Sequence, residues 1–298
     1  MANMPERGAL NDNSLQIIKN GGVVIDNGKI IELGVFSLLN KNGFDIIEIK
    51  YPCVLLPGFI DSHTHVCHYG NRSDEYAKRN SGISYQKILA EGGGIHNTMN
   101  STSNCTDDQL RDNTLKRLKR HFLEGVLTCE VKSGYAPSLE DEIRMLKIIN
   151  KIDSDNEIDL IPTCLAAHVT PKSFGSSKQY LESIINELLP KIKEENLSKR
   201  VDIFIEEKAF SVSEASHFLK HVKNDFSITA HANQFTSGGL RVGVDYGAVS
   251  VDHLEVITDD EINYLSKSNT TGVVLPGCSL GLGIPFAPAR KLLDNNCK

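Results

Sequence analysis

The sequence contains no apolar run close to the roughly 20 residues that a membrane-spanning helix needs, so a soluble protein with no membrane partner is expected. It opens without a basic segment leading into an apolar one and without an Arg-rich amphipathic stretch, so no export or organelle signal is visible. A cytoplasmic location follows by default. The seven cysteines include no CxxC pair and are odd in number and scattered, which argues against a disulfide framework and a structural zinc knuckle. Free buried thiols are expected. Nor is there an excess of positive charge: the net charge is −6, with Lys and Arg interspersed among Asp and Glu. No basic face is available to neutralise a phosphate backbone, so nucleic acid is not an expected partner. What is present is 298 residues, 40% hydrophobic and 23% charged, enough for one large domain, or one large domain plus a small one, with a substantial buried core.

Before Tyr51, short β-like pieces (Gly22 to Asp26, Lys29 to Leu33, Asp45 to Ile49) alternate with turn residues such as Asn27-Gly28. Residues 1–52 are therefore read as the N-terminal part of a small β-sandwich flank. From residue 53 to 298, apolar runs alternate with helical patterns, the organisation of a parallel α/β fold. The runs are Val54–Ile60, Val126–Val131, Leu160–Ala166, Val201–Ile205, Ser227–Ala230, Ala248–Val251 and Gly272–Leu275. Helices fit between them. Thr106 with Gln109 forms a capping box for a helix that Gly125 closes, and Ser138 with Asp141 gives a similar start before the Ile143–Ile152 stripe. Further helices are expected after the Gly/Ser-rich Phe174–Ser177 through Leu188, and at Ser211 to Val222, Asp259 to Leu265 and Ala289 to Asn295. The spacing suggests a (β/α)₈ TIM-like barrel of the metal-dependent hydrolase type. An eighth strand is missing from this sequence, and the barrel is expected to be incomplete.

In such a barrel the reactive groups sit at the C-terminal ends of the strands. Here those ends carry Asp61-Ser62-His63-Thr64-His65, Lys132-Ser133-Gly134-Tyr135, His168, His231 and Asp252-His253. His63 and His65 are two apart, and the two-residue period of a strand points both imidazoles the same way. HxH alone is a weak motif that a turn can also produce. His231 and His253 at two further strand ends strengthen it, since zinc and iron accept neutral imidazole. His253, beside Asp252 and Glu255, is a candidate proton shuttle, or else a hydrogen-bonded core histidine. Arg72 lies in a loop expected over the mouth, where a guanidinium could clamp a carboxylate or simply face solvent. Tyr135 could bond substrate or pack. Lys132 raises the question of a carboxylated lysine bridging two metals, but its early place in the strand order favours one. Gly92-Gly93-Gly94 lacks the pattern of a phosphate-binding loop, and HFLKH (His217–His221) reads as a solvated helix face rather than a zinc helix. His68, His96 and His121 form no constellation.

With these residues in place, the chain resembles the imidazolonepropionases of the amidohydrolase superfamily from about Leu10 onward. The matching stretches are PGFIDSHTH (Pro57–His65), NRSDEY around Arg72, SYQKILAEGGGI (Ser84–Ile95), EVKSGY (Glu130–Tyr135), LAAHVTP (Leu165–Pro171), HANQF (His231–Phe235) and VDHLE (Val251–Glu255). The first marks the superfamily; EGGGI, EVKSGY and AAH in this order narrow it. The resemblance implies hydrolysis of 4-imidazolone-5-propanoate to N-formimidoyl-L-glutamate in L-histidine catabolism. It further implies one divalent metal ion, zinc or iron, held by His63, His65 and His231, and substrate contacts from Arg72, Tyr135, His168, Gln234 and Tyr85. His253 matches the histidine near the reacting carbonyl. A fourth, aspartate ligand on the eighth strand has no counterpart in this sequence. Some relatives carry Glu where Gln234 stands; an amide is no base, so Gln234 is assigned to binding. The competing expectations are a different amidohydrolase, such as a deaminase of neutral bases, and a non-catalytic fragment. A homodimer is the common form for metal-dependent enzymes of this size, although no segment identifies an interface.

Overall fold

The computed structural model describes residues 6–10, 17–84, 87–88, 91–154 and 157–298. The chain divides into two compact units, Met1–Pro57 and Gly58–Lys298.

In the first unit, β1 (Gly21–Asp26) and β2 (Lys29–Val35) form an antiparallel hairpin. Its turn residues Asn27 and Gly28 have φ of 49° and 74°, the left-handed pair that a two-residue type I′ turn demands. The third expected strand, Asp45–Ile49, does not form: Ile46, Ile47 and Ile49 are exposed, and no ladder reaches them among the described residues. An extended segment without cross-strand neighbours has little to hold it in a sheet.

The second unit is built on seven parallel strands whose spatial order is their sequence order: β3 (Phe59–Asp61), β4 (Val126–Lys132), β5 (Asp159–Ala167), β6 (Arg200–Ile205), β7 (Ser227–Ala232), β8 (Ser250–His253) and β9 (Thr271–Val274). Unbroken parallel order with a crossover after every strand is the winding of a (β/α) barrel. All seven expected runs are strands. The first is much shorter than the Val54–Ile60 run, because Pro57 has no N–H to give a ladder and Gly58 lies so close to Leu127 that a Cβ would come within 2.4 Å of it. The ladder therefore begins at Phe59, whose N–H donates to the Gly125 carbonyl at 2.8 Å.

The helices are α1 (Ser73–Asn80), α2 (Ile95–Asn104), α3 (Asp107–Leu123), α4 (Leu139–Asp153), α5 (Ser177–Ser183), α6 (Leu189–Glu194), α7 (Val212–Val222), α8 (Gly239–Asp245), α9 (Asp259–Ser266), α10 (Pro276–Leu282) and α11 (Ala289–Asp294). None among the described residues is long and apolar enough to cross a membrane. Thr106 and Gln109 make the expected reciprocal capping box on α3, and Ser138 caps α4 through the Asp141 amide. The helix expected to run to Leu188 widens into a π segment at Ile184–Leu188 and resumes as α6. Pro190 supplies the cause: its ring and missing N–H break the regular ladder at that turn. Buried faces of α4, α5 and α7 (Leu146, Ile149, Tyr180, Phe218, Leu219) cover strands whose own residues, such as Cys129, Val131, Ile203 and Ala230, are fully enclosed. Burial on both faces is why these strands read as continuous apolar runs.

Candidate active site

Polar residues gather where the strands end. His63 and His65 follow β3, His168 follows β5, His231 lies in β7 and His253 closes β8. The ring centroids of His63 and His231 are 4.5 Å apart, those of His65 and His231 5.3 Å, and those of His231 and His253 5.2 Å. His65 and His168 stack at 5.3 Å with an interplanar angle of 19°.

Two carboxylates beneath the rings set their tautomers. Asp252 Oδ2 lies 2.6 Å from His63 Nδ1, and Asp202 Oδ1 lies 3.0 Å from His231 Nδ1. An ionised carboxylate only accepts, so in each pair Nδ1 donates and Nε2 keeps its lone pair. Burial first, then the Lys132 charge, drives His63 well below the usual histidine range; burial followed by neighbouring imidazoles does the same to His65. Burial takes His231 and His168 down to about 3, with Asp202 opposing it at His231. These rings are neutral at neutral pH, the form that ligates metals. At His253 burial also pulls downward, but the neighbouring Cys278 and Glu255, the latter 3.6 Å from Nδ1, outweigh it and raise the ring to about 9.

The donor set suits a divalent cation. His65 Nε2 and His231 Nε2 are 3.1 Å apart, close to the edge of about 3.3 Å expected for two nitrogens about 2.05 Å from one tetrahedral ion. His65 Nδ1 is buried with no hydrogen-bond partner among the described residues. Nitrogens of His63, His231 and His253 also lie within 4.8 Å of one another. The backbone at His253 and Leu254 is left-handed, with φ of 89° and 68°. Non-glycine residues adopt it at an energetic cost, and such strain concentrates at functional sites.

On the substrate side, Arg72 is the N-cap residue of α1, and its Nη2 donates to the Tyr135 hydroxyl at 3.4 Å. The Tyr135 ring packs against His65 and His168 at 5.6 Å from each. His168 Nδ1 is 3.1 Å from the Gly134 carbonyl. The Gln234 side chain reaches Cys278 Sγ at 3.8 Å, while its backbone N–H donates to Glu206. Tyr85 lies outside the described residues. His217 and His221 are exposed on α7, with His217 paired to Glu182 at 2.8 Å, in keeping with a solvated face.

Several residues escaped the sequence reading. Asp202 holds His231, and its charge in the middle of the apolar run Val201–Ile205 was the available signal. Glu206 accepts from the amides of Gln234, Phe235 and Thr236 and so fixes the loop after β7. Glu142, fully buried on α4, accepts from the Gly134 amide and anchors the loop that carries Tyr135. Lys132, which the sequence did single out, is no free amine: its Nζ lies 2.6 Å from Asp202, 2.7 Å from Glu130 and 3.7 Å from Asp252.

No family model matches the chain. It is 40% identical over 297 residues to the imidazolonepropionase of Thermoanaerobacter pseudethanolicus, covering 99% of this chain and 71% of that protein. With the imidazolonepropionase of Christiangramia forsetii the identity is 38% over 283 residues, 94% of this chain and 69% of the relative. Among solved structures, a zinc- and atraton-bound mutant of atrazine chlorohydrolase from Arthrobacter aurescens superposes with a TM-score of 0.64 at 15% identity, covering 92% of this chain and 64% of that one. A 5-methylcytosine deaminase from Klebsiella pneumoniae gives 0.60 at 12% identity, covering 87% and 64%. These distant structures establish the fold alone, an α/β barrel. The relatives establish more: the chain belongs to the imidazolonepropionase family and is a hydrolase of carbon–nitrogen bonds.

Proposed function

We propose that this chain hydrolyses the cyclic amide of 4-imidazolone-5-propanoate to N-formimidoyl-L-glutamate, the step its family name implies in L-histidine catabolism. The observation that carries this reading is the convergence, at one end of the strands, of neutral imidazoles on one side and an Arg72–Tyr135 pair on the other. The first suits a cation, the second the flexible carboxylate of the substrate.

His63, His65 and His231 would hold one divalent ion, zinc or iron, by their Nε2 atoms. Such an ion polarises a carbonyl oxygen and lowers the pKa of water toward about 7. Water adds to the ring carbonyl carbon, the ring C–N bond breaks with its electron pair passing to nitrogen, the nitrogen takes a proton from His253, and the proton that the water brings leaves the new carboxyl and returns to His253. His253 is charged near neutrality, so it can stabilise the developing oxyanion and then give its proton to the leaving nitrogen. Arg72 fixes the propanoate through parallel charge-assisted hydrogen bonds, with the Tyr135 hydroxyl beside it. His168 donates from Nδ1 to the Gly134 carbonyl, which leaves its Nε2 as an acceptor for a ring N–H. Gln234, an amide, serves in binding rather than as a base.

A second ligand set, His63, His231 and His253, has its own support in the 4.8 Å spacing of their nitrogens. Comparing H65Q with H253Q decides: the first reading expects H65Q to lose metal and H253Q to keep it while losing turnover. Arg72→Ala tests the substrate class. Losing a charge-assisted hydrogen bond of about 1.5–3 kcal/mol should raise KM for imidazolonepropanoate roughly 10- to 100-fold with a smaller change in kcat. An unchanged KM would remove the carboxylate clamp and reopen the deaminase reading.

A further inference from the structure

The layer of side chains beneath the histidines is charged, whereas barrel interiors are ordinarily filled with branched apolar residues contributed by alternate strands. Lys132 on β4, Asp202 on β6 and Asp252 on β8 follow that alternation, and all three side chains are fully buried. We propose that Lys132 is a positioning residue of the centre: its ammonium orients Asp202 and Asp252 so that these hold His231 and His63 by Nδ1 and turn both Nε2 atoms to the cation. The inference rests on the metal-centre reading above.

Three features of the layer support it. Asp202 divides its oxygens, Oδ2 to Lys132 Nζ at 2.6 Å and Oδ1 to His231 Nδ1 at 3.0 Å, so the lysine decides which way that carboxylate faces. Asp252 is held from two sides, by Ser250 at 2.7 Å on Oδ1 and by Lys132 at 3.7 Å on Oδ2, the oxygen that meets His63. Furthermore, His63, Glu130 and Asp252 form another cluster with ligand spacing, and the Lys132 ammonium stands between its two carboxylates. A tethered cation thus takes the place of a second metal.

The geometry makes an unusual prediction for Asp202→Asn. Facing an ammonium, the amide must turn its oxygen to Lys132 and its NH₂ to His231 Nδ1, which forces Nδ1 to accept and moves the His231 proton to Nε2. With Lys132 also removed, in K132M/D202N, the amide is free to turn back and the Nδ1–H tautomer returns. The test is ¹⁵N spectroscopy of histidine-labelled, metal-free protein, together with zinc affinity by competition against a chromophoric chelator. Wild type should show Nδ1–H for His231, D202N should show Nε2–H with zinc bound about 10- to 100-fold more weakly, and the double variant should recover both. E130Q, at a residue that pairs with Lys132 and hydrogen-bonds no histidine, should leave the His231 tautomer and zinc affinity within about twofold of wild type. Nδ1–H in D202N, a double variant that stays Nε2–H, or an E130Q that behaves like D202N would overturn the proposal. If the double variant does not fold, K132M decides against E130Q: only K132M should weaken zinc. A wild type with the stated tautomer that binds no zinc would instead count against the metal-centre reading and leave the positioning role standing.

Discussion

Replacing Glu142 with glutamine should change the pH dependence of stability more than the stability itself. This carboxyl is enclosed on α4, and burial pushes it up from 4.5 to about 7, against hydrogen bonds from Ser133 and from the amides of Gly134 and Ala136 that favour ionisation. A carboxyl raised on folding is a cost to the folded state once ionised. Below about 4.5 both states are protonated and the group is neutral in the balance; between about 4.5 and 7 the folded chain keeps a proton that the unfolded chain releases, so stability falls as pH rises; above 7 the full cost of about 3 kcal/mol is present. The amide introduced by Glu142→Gln carries no charge at any pH and retains an oxygen for the Gly134 N–H. Urea unfolding of both proteins at pH 5 and pH 8 measures the effect. The difference between variant and wild type should move by about 3 kcal/mol in favour of the variant at the higher pH. If the difference is the same at both, Glu142 is not a raised carboxyl, and the clasp on the Tyr135 loop is an ordinary ionised one.

Arg117 gives its guanidinium to the carbonyls of Val66, His68 and Gly70 at 3.0, 2.6 and 3.3 Å. R117A should cost on the order of 2 kcal/mol in thermal unfolding and raise KM, because the chain it anchors leads directly into Arg72. Thr106→Ala removes one half of the capping box on α3 and should cost about 1 kcal/mol in urea unfolding without altering KM.

Much of the fold was legible because its strands are enclosed on both sides. Runs such as Cys129–Val131 and Val201–Ile205 are almost wholly enclosed, so they appear as mainly apolar stretches, and the capped helices announce themselves at Thr106, Ser138 and Ser211. The helix Ile95–Asn104 was hidden because its buried face is Thr98, Met99 and Thr102, a pattern with almost no apolar period. The helix Gly239–Asp245 was hidden by glycines that its packing needs: a Cβ at Gly243 would come within 2.7 Å of Val251 Cγ2. At the site, the histidines stood out because each follows an apolar run. The groups that orient them did not, since Asp202 meets His231 and Lys132 meets Asp202 across 29 and 70 residues of sequence. A single sequence records the charge of Asp202 but not its distant partner.

The central claim is that the converging imidazoles hold one catalytic cation against a carboxylate-bearing cyclic amide. It is tested most directly by expressing this 298-residue chain, measuring bound metal by elemental analysis, and following the loss of 4-imidazolone-5-propanoate absorbance in the same sample. One zinc or iron per chain, with turnover abolished by a chelator and restored by the ion, is the result predicted. A folded chain that binds no metal and turns over no substrate, or one whose turnover survives complete removal of metal, would contradict it.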